Sequence, residues 1–183
     1  MITKFSDYNK QIETENFKKW FNGSKVVDDK GNPLLMYHGT EWDSPLDTFD
    51  GNRGIGWFTD NKEYALNYTR GLGMIMVLYL SIKNPYILKI EPEKLLTLDE
   101  FNKLTGFKSS IKHKNVGIQE CWFWYDNTHT DFVELLIKSG YDGLQTLEHK
   151  KYICWCPFYQ NQIKSATDNN GNFSNSSNIN ENI

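Results

Sequence analysis

Arginine is almost missing from this 183-residue chain, which has only Arg53 and Arg70. There is little here to build a multi-arginine phosphate clamp. Excess charge is missing as well. With 20 basic against 23 acidic side chains, a net charge of -3 and a pI of about 5.8, no global positive field draws the chain onto nucleic acid or anionic lipid. The three cysteines, Cys121, Cys154 and Cys156, are too few and too odd in number for a disulfide scaffold. No histidines stand near them at metal-ligand spacing, so a zinc site is not expected. Long apolar runs are absent too. The longest, Met74 to Leu80, has seven residues, and the N-terminal MITKFSDYNKQIETENF lacks the apolar stretch of a signal peptide. These absences predict a reduced, soluble, cytoplasmic protein with no membrane partner.

What is present is apolar bulk. Hydrophobic residues make up 39% and aromatics 15%, enough to offset chain entropy in one compact core. Phe17, Trp20 and Phe21 fall at i, i+3 and i+4 and predict an apolar helix face over 13–21, ended by Asn22-Gly23. Lys25 to Asp28 and Pro33 to His38 then read as two strands joined by a turn. Trp42 to Arg53 has the composition of a long surface loop, a class that is often functional.

Trp57-Phe58-Thr59 reads as a short strand, and Asp60 or Asn61 can cap a helix to about Tyr68 with Tyr64, Ala65 and Tyr68 on one face. Met74 to Ile82 and Tyr86 to Ile90 are strand candidates around an Asn84-Pro85 turn. Glu91 to Phe107 suggests one or two short helices, followed by a basic linker over 108–115. Cys121 to Tyr125 reads as core or a covered flap. Asp131 to Ser139 has amphipathic helix spacing, and Tyr141 to Gln145 and Tyr152 to Cys156 read as strands. In the last, Cys154 and Cys156 point the same way, as strand periodicity requires. Mixed in this order, the elements predict an α+β fold rather than a regularly wound α/β sheet. Residues 1–165 read as a single domain. The tail, 166–183, holds seven asparagines in eighteen residues and is flexible by composition.

Two stretches carry candidate chemistry. His38, at a strand end before Gly39 and Thr40, has an imidazole free to hydrogen-bond a ligand beside open backbone amides, although a lone histidine is more often structural. Gly54-Ile55-Gly56-Trp57-Phe58-Thr59, with Tyr68 beyond it, provides small residues and two aromatics that would sandwich a flat ligand, or else a glycine turn followed by ordinary core.

Together, Tyr37-His38-Gly39-Thr40, Gly54-x-Gly56-Trp57-Phe58 and Ala65-x-x-Tyr68 resemble the ADP-ribosyltransferase fold of the poly(ADP-ribose) polymerase and diphtheria-toxin type. A closer likeness is to the ADP-ribosyltransferase-like domains of phage and mobile-element polyvalent proteins. It is carried by the segment from Phe17 to Asp28, then Gly31-x-Pro33-Leu34, Leu80-Ser81-Ile82-Lys83-Asn84-Pro85, Gly140-Tyr141-Asp142-Gly143, Gln162-Ile163-Lys164-Ser165-Ala166 and Asn178-Ile179. The resemblance implies a split antiparallel sheet with flanking helices, and a tail that packs on the domain. It implies NAD as co-substrate, with His38 on the adenosine-side ribose and the Gly39 backbone on the carboxamide. Tyr68 and Trp57 would face the nicotinamide from opposite sides, Thr40 would add a hydroxyl, and Arg53 would meet a phosphate. Gly56, Phe58 and Ala65 complete the binding set.

Breaking the ribose–nicotinamide bond builds oxocarbenium-like charge, which a carboxylate on the ribose 2′-hydroxyl would stabilise. The family supplies it as a Glu opening a late strand. Here Trp57 replaces the usual Tyr, Ala65 replaces a Ser, and Lys151 falls at the Glu position. Glu148, three residues earlier, is the nearest acid and either reaches the site or is a solvated turn residue. Gln160 and Gln162 offer amides, Gln162 more naturally to a structural strand. With His38, Trp57 and Glu148 as the catalytic set, the implied activity is mono-ADP-ribosylation of a macromolecule, a protein in preference to nucleic acid, as a phage or mobile-element effector. The alternatives are a catalytically silent NAD- or ADP-ribose-binding module and an NAD glycohydrolase.

Overall fold

The computed structural model describes residues 10–49, 56–88, 136–169 and 171–181, together with the backbone of two short strands at 95–97 and 115–117 and positions 103 and 133. Arg53, Gly54 and the Cys121 to Tyr125 cluster lie outside the described residues. The architecture is α+β. Seven strands form one sheet in the order β4-β7-β8-β2-β1-β3-β9, where β1 is Met36–Thr40, β2 Phe58–Thr59, β3 Met74–Leu80, β4 Pro85–Ile87, β7 Gly143–Glu148, β8 Tyr152–Pro157 and β9 Ile163–Ser165. All neighbours run antiparallel except β4 and β7. Strands β5 (Leu95–Thr97) and β6 (Asn115–Gly117) pair separately.

Helix α1 (Glu15–Phe21) begins where Thr14 Oγ1 accepts the Phe17 N–H at 3.2 Å. Its aromatic stripe buries Phe17, Trp20 and Phe21 against Tyr79 of β3, with Val77 on the same face two residues earlier. The alternate residues Leu78 and Leu80 face the other way. There they join Met36, Phe58, Trp155 and Ile163 in a second core that Val26, Ile82 and Ile179 close. The sheet is thus covered on both faces.

Several of the matched sequence segments meet here as scaffold. Asp142 accepts the Lys83 and Asn84 N–H groups at 2.8 and 2.7 Å, and the Asn84 side-chain amide donates to the Gly140 carbonyl at 2.9 Å. A Cβ on Gly143 would lie 2.6 Å from Ile82 Cγ2, so the strand start needs a residue without one. Gln162, in the 3₁₀ turn Gln160–Gln162, accepts the Phe158 and Tyr159 N–H groups and donates to the Ser81 carbonyl at 3.2 Å. Its amide is committed to the frame.

The tail follows the sheet. Phe173 enters the α1 core and Ile179 the opposite one, while the Ile179 backbone exchanges hydrogen bonds with Ser165 and Asp47. Lys164, with no exposed side-chain surface, pairs with Glu181 and donates to the Ser176 and Asn178 carbonyls at 2.8 and 2.9 Å. Two apolar anchors and one buried cation hold a segment whose composition alone predicts flexibility.

Two sequence expectations change. The strand pair over 25–38 reduces to an isolated bridge between Val27 and Pro33, and β1 starts only at Met36. Pro33 has no N–H to give a ladder, and the Asp28 carboxylate draws the Lys30 and Asn32 N–H groups into a turn instead. Within 91–107, where short helices are predicted, Leu95–Thr97 forms a strand and position 103 alone is described as helical. Pairing with β6 overrides the local preference. The amphipathic segment before Gly140 is helical at 133 and 136–138.

Candidate functional site

The C-terminal half of β1 is the floor of the site. His38 sits between Phe49 and Phe58, with ring centroids 5.1 and 5.2 Å away. Its Nδ1 lies 2.8 Å from the Trp57 carbonyl. A carbonyl only accepts, so Nδ1 carries the proton and Nε2 is left as the acceptor. Burial among aromatic rings pushes the His38 pKa below its ordinary 6.5, which favours this neutral ring. Gly56 holds φ at +117°, which favours a glycine, and a Cβ there would only touch His38 Cε1 at 3.5 Å.

Gly39 is pressed against the next helix. A Cβ on it would fall 2.0 Å from the Ala65 carbonyl oxygen and 3.1 Å from Tyr68 Cβ. No other residue fits that approach. Thr40, buried, accepts the Trp42 N–H at 3.2 Å and so fixes the chain as it leaves β1.

The second wall is β2 followed by helix α2 (Lys62–Leu66) and a 3₁₀ turn, Asn67–Thr69. Phe58 pairs with Trp155 across to β8, Trp57 is half-buried before it, and Asn61 caps α2 by accepting the Tyr64 N–H at 2.8 Å. Ala65 is buried behind Gly39, while Tyr68 remains 40% exposed. A ring anchored at its Cβ and partly exposed is suited to stacking on a flat ligand.

Glu148 completes the group from the far side of the sheet. It is the last residue of β7 and only 4% exposed, so it is not a solvated turn residue. Tyr64 donates to its Oε2 at 2.5 Å, and the Tyr64 and Tyr68 hydroxyls are 2.9 Å apart. The turn that follows has two left-handed residues, His149 (φ 49°) and Lys150 (φ 54°), closed by the Lys151 N–H on the Glu148 carbonyl at 3.0 Å. Lys151 itself lies with Nζ 4.8 Å from the centre of the Tyr152 ring. Below them Cys154 is buried opposite Thr59, its thiol pushed well above the usual range by burial and then by Glu148.

Sequence-selected residues therefore form two groups, His38 with Gly56 and Phe58, and Gly39 with Ala65 and Tyr68, which adjoin at the His38–Gly39 backbone. Glu148 joins them through Tyr64, which the sequence reading places on the right helix face but gives no role in the site. Its signal was the i, i+4 spacing with Tyr68, which also suits ordinary packing. Arg53 lies outside the described residues. Among those described, no group of three metal-ligating side chains gathers, and no helix is long and apolar enough to cross a membrane.

Neither a curated protein nor a solved structure matches the chain. A family model does, over residues 28–173, a span that includes β1, the Trp57 to Tyr68 segment, Glu148 and β9. The chain belongs to the ADP-ribosyltransferase family found in polyvalent proteins.

Proposed function

We propose that this domain consumes NAD and transfers a single ADP-ribose to a macromolecular acceptor, a protein rather than a nucleic acid. The observation that carries the reading is a buried carboxylate, Glu148, tied through Tyr64 to the partly exposed Tyr68, on a helix packed against the Gly39 backbone next to neutral His38. The cradle suits a flat, polar nucleotide end. Gly39 lets β1 and α2 touch, which sets the partly exposed Tyr68 beside the strand end.

NAD would supply the ADP-ribosyl group and the nicotinamide that leaves. His38 Nε2 accepts a ribose hydroxyl, Gly39 pairs with the carboxamide through its backbone, and Tyr68 and Trp57 bound the ring. Thr40, Gly56, Phe58 and Ala65 shape the same pocket, with Arg53 assigned to a phosphate. Ala65 has no hydroxyl, so the carboxamide is held by backbone alone. Glu148 accepts the ribose 2′-hydroxyl and offsets the positive charge that develops on the sugar. Lys151, at the position where elongating relatives carry the acid, supports transfer of one unit rather than a polymer. The association with polyvalent proteins supports a phage or mobile-element effector that acts in a bacterial cytoplasm.

Nicotinamide release from NAD by the purified protein, with and without bacterial lysate and with His38→Ala as control, tests this reading. Release that requires lysate is the expected result. Release without it assigns a glycohydrolase or self-modification, and NAD binding with no release assigns the silent module that Lys151 and Trp57 would suit.

A further inference from the structure

We propose that Tyr64 is a positioning residue that locks Tyr68 and Glu148 into one unit. The inference rests on reading this cleft as the NAD site. A carboxylate has no proton to give, so at 2.5 Å Tyr64 must donate its single hydroxyl proton to Glu148. The contact between the two phenols then has one possible direction, Tyr68 donating to Tyr64 at 2.9 Å. A proton-ordered chain thus runs from the ring that bounds the ligand to the carboxylate that would meet the ribose.

Tyr64 is itself immobilised from three sides. Its backbone N–H is bound by the Asn61 cap. Its ring lies flat on Tyr152, with centroids 4.0 Å apart and planes within 8° of parallel, and Tyr152 stands directly across the hairpin from Glu148. His149 adds an edge contact at 6.0 Å. Burial and the neighbouring carboxylate push the Tyr64 pKa far above its ordinary 10, so the hydroxyl keeps its proton throughout the working range. The site therefore holds Glu148 by a group on α2, the same short helix that carries Ala65 and leads into Tyr68.

Alignment of the carboxylate with the reacting sugar should change turnover more than ligand affinity, because it matters most when charge develops. The test compares nicotinamide release by wild type, Tyr64→Phe, Glu148→Gln and the double variant, with thermal melts of all four. Tyr64→Phe keeps the stacked ring and removes only the hydroxyl. The expected result is a kcat lowered about tenfold or more with KM for NAD within about twofold, and no further loss when the change is made in Glu148→Gln. An equal fractional loss in both backgrounds, or a raised KM at unchanged kcat, overturns the positioning role while leaving the NAD-consuming reading intact. Absence of release from wild type overturns that reading, and this inference with it. If Tyr64→Phe melts below the assay temperature, Tyr152→Leu takes its place in the cycle, with the same split expected from loss of the stacked support.

Discussion

Gly39 and Ala65 approach so closely that β1 and α2 touch through backbone, a Cβ on Gly39 falling 2.0 Å from the Ala65 carbonyl oxygen. Gly39→Ala is therefore expected to separate the two walls of the site rather than merely crowd it. Overpacking of this kind costs on the order of 1–3 kcal/mol, to be read as a lower urea midpoint at unchanged m-value. NAD affinity, followed by calorimetry, should fall with it.

Glu148→Gln keeps the shape of the side chain and its acceptor oxygen but removes the charge. Turnover of NAD should drop roughly 100-fold, the scale of losing one well-aimed electrostatic contact, while binding stays nearly intact. Turnover equal to wild type would remove Glu148 from its assigned role. His38→Ala and Tyr68→Ala should instead abolish NAD binding, measured by the same calorimetric titration.

Folding lowers the pKa of His38, so below its ordinary 6.5 the unfolded chain takes up a proton that the folded chain resists. This contribution to stability is complete above about pH 6.5 and declines as pH falls toward the folded value. Melting temperatures of wild type should therefore drop more steeply between roughly pH 7 and 5 than those of a folded His38→Asn variant, whose side chain cannot titrate.

Lys164 and Glu181 are a buried pair with 0% and 7% exposed side chains, so removing one charge leaves the other stranded. Glu181→Gln is expected to cost roughly 3 kcal/mol or more by chemical denaturation. Lys164→Met combined with Glu181→Leu should recover part of that loss, because no charge then remains uncompensated.

Cys154 should be unreactive in the native protein. Burial, reinforced by Glu148, holds its thiol in the protonated form, and the thiolate is the species that alkylates. Iodoacetamide treatment followed by mass spectrometry of the Cys154 peptide should show labelling only after denaturation.

The frame was legible where local pattern and tertiary demand agree. The Phe17, Trp20 and Phe21 stripe, the Asn61 cap and β3 follow from spacing and capping chemistry and each appears, and the two late strands appear as β7 and β8, the first shifted to Gly143–Glu148. Where a distant partner decides, the reading failed. Leu95–Thr97 is a strand because Asn115–Gly117 lies beside it, and nothing local announces that pairing. The asparagine-rich tail is held by three residues, Phe173, Ile179 and Glu181, which composition averages away.

Within the site, His38, Gly39 and Tyr68 are legible only together, because each alone also suits ordinary structure and only their order and spacing resemble the family pattern. Glu148 was ambiguous, since a residue beside a turn is ordinarily solvated and its burial depends on Tyr64 reaching over from another element. Tyr64 was overlooked for the same reason, as its partners lie across the sheet in β7 and β8.

The strand order also bears on how the molecule is made. Phe58 of β2 takes Trp155 of β8 as its ladder partner, so the middle of the sheet cannot close until Trp155, 97 residues later, has left the ribosome. At roughly 5–20 residues per second the wait lasts about 5–20 s, and such long-range pairing is intrinsically slow to form afterwards. Throughout that interval the nascent chain carries His38 and Tyr68 but has no hairpin to bring Glu148 beside them. Glu148 takes its place only once β7 and β8 have emerged and paired, so the candidate site is among the last parts of this fold to assemble.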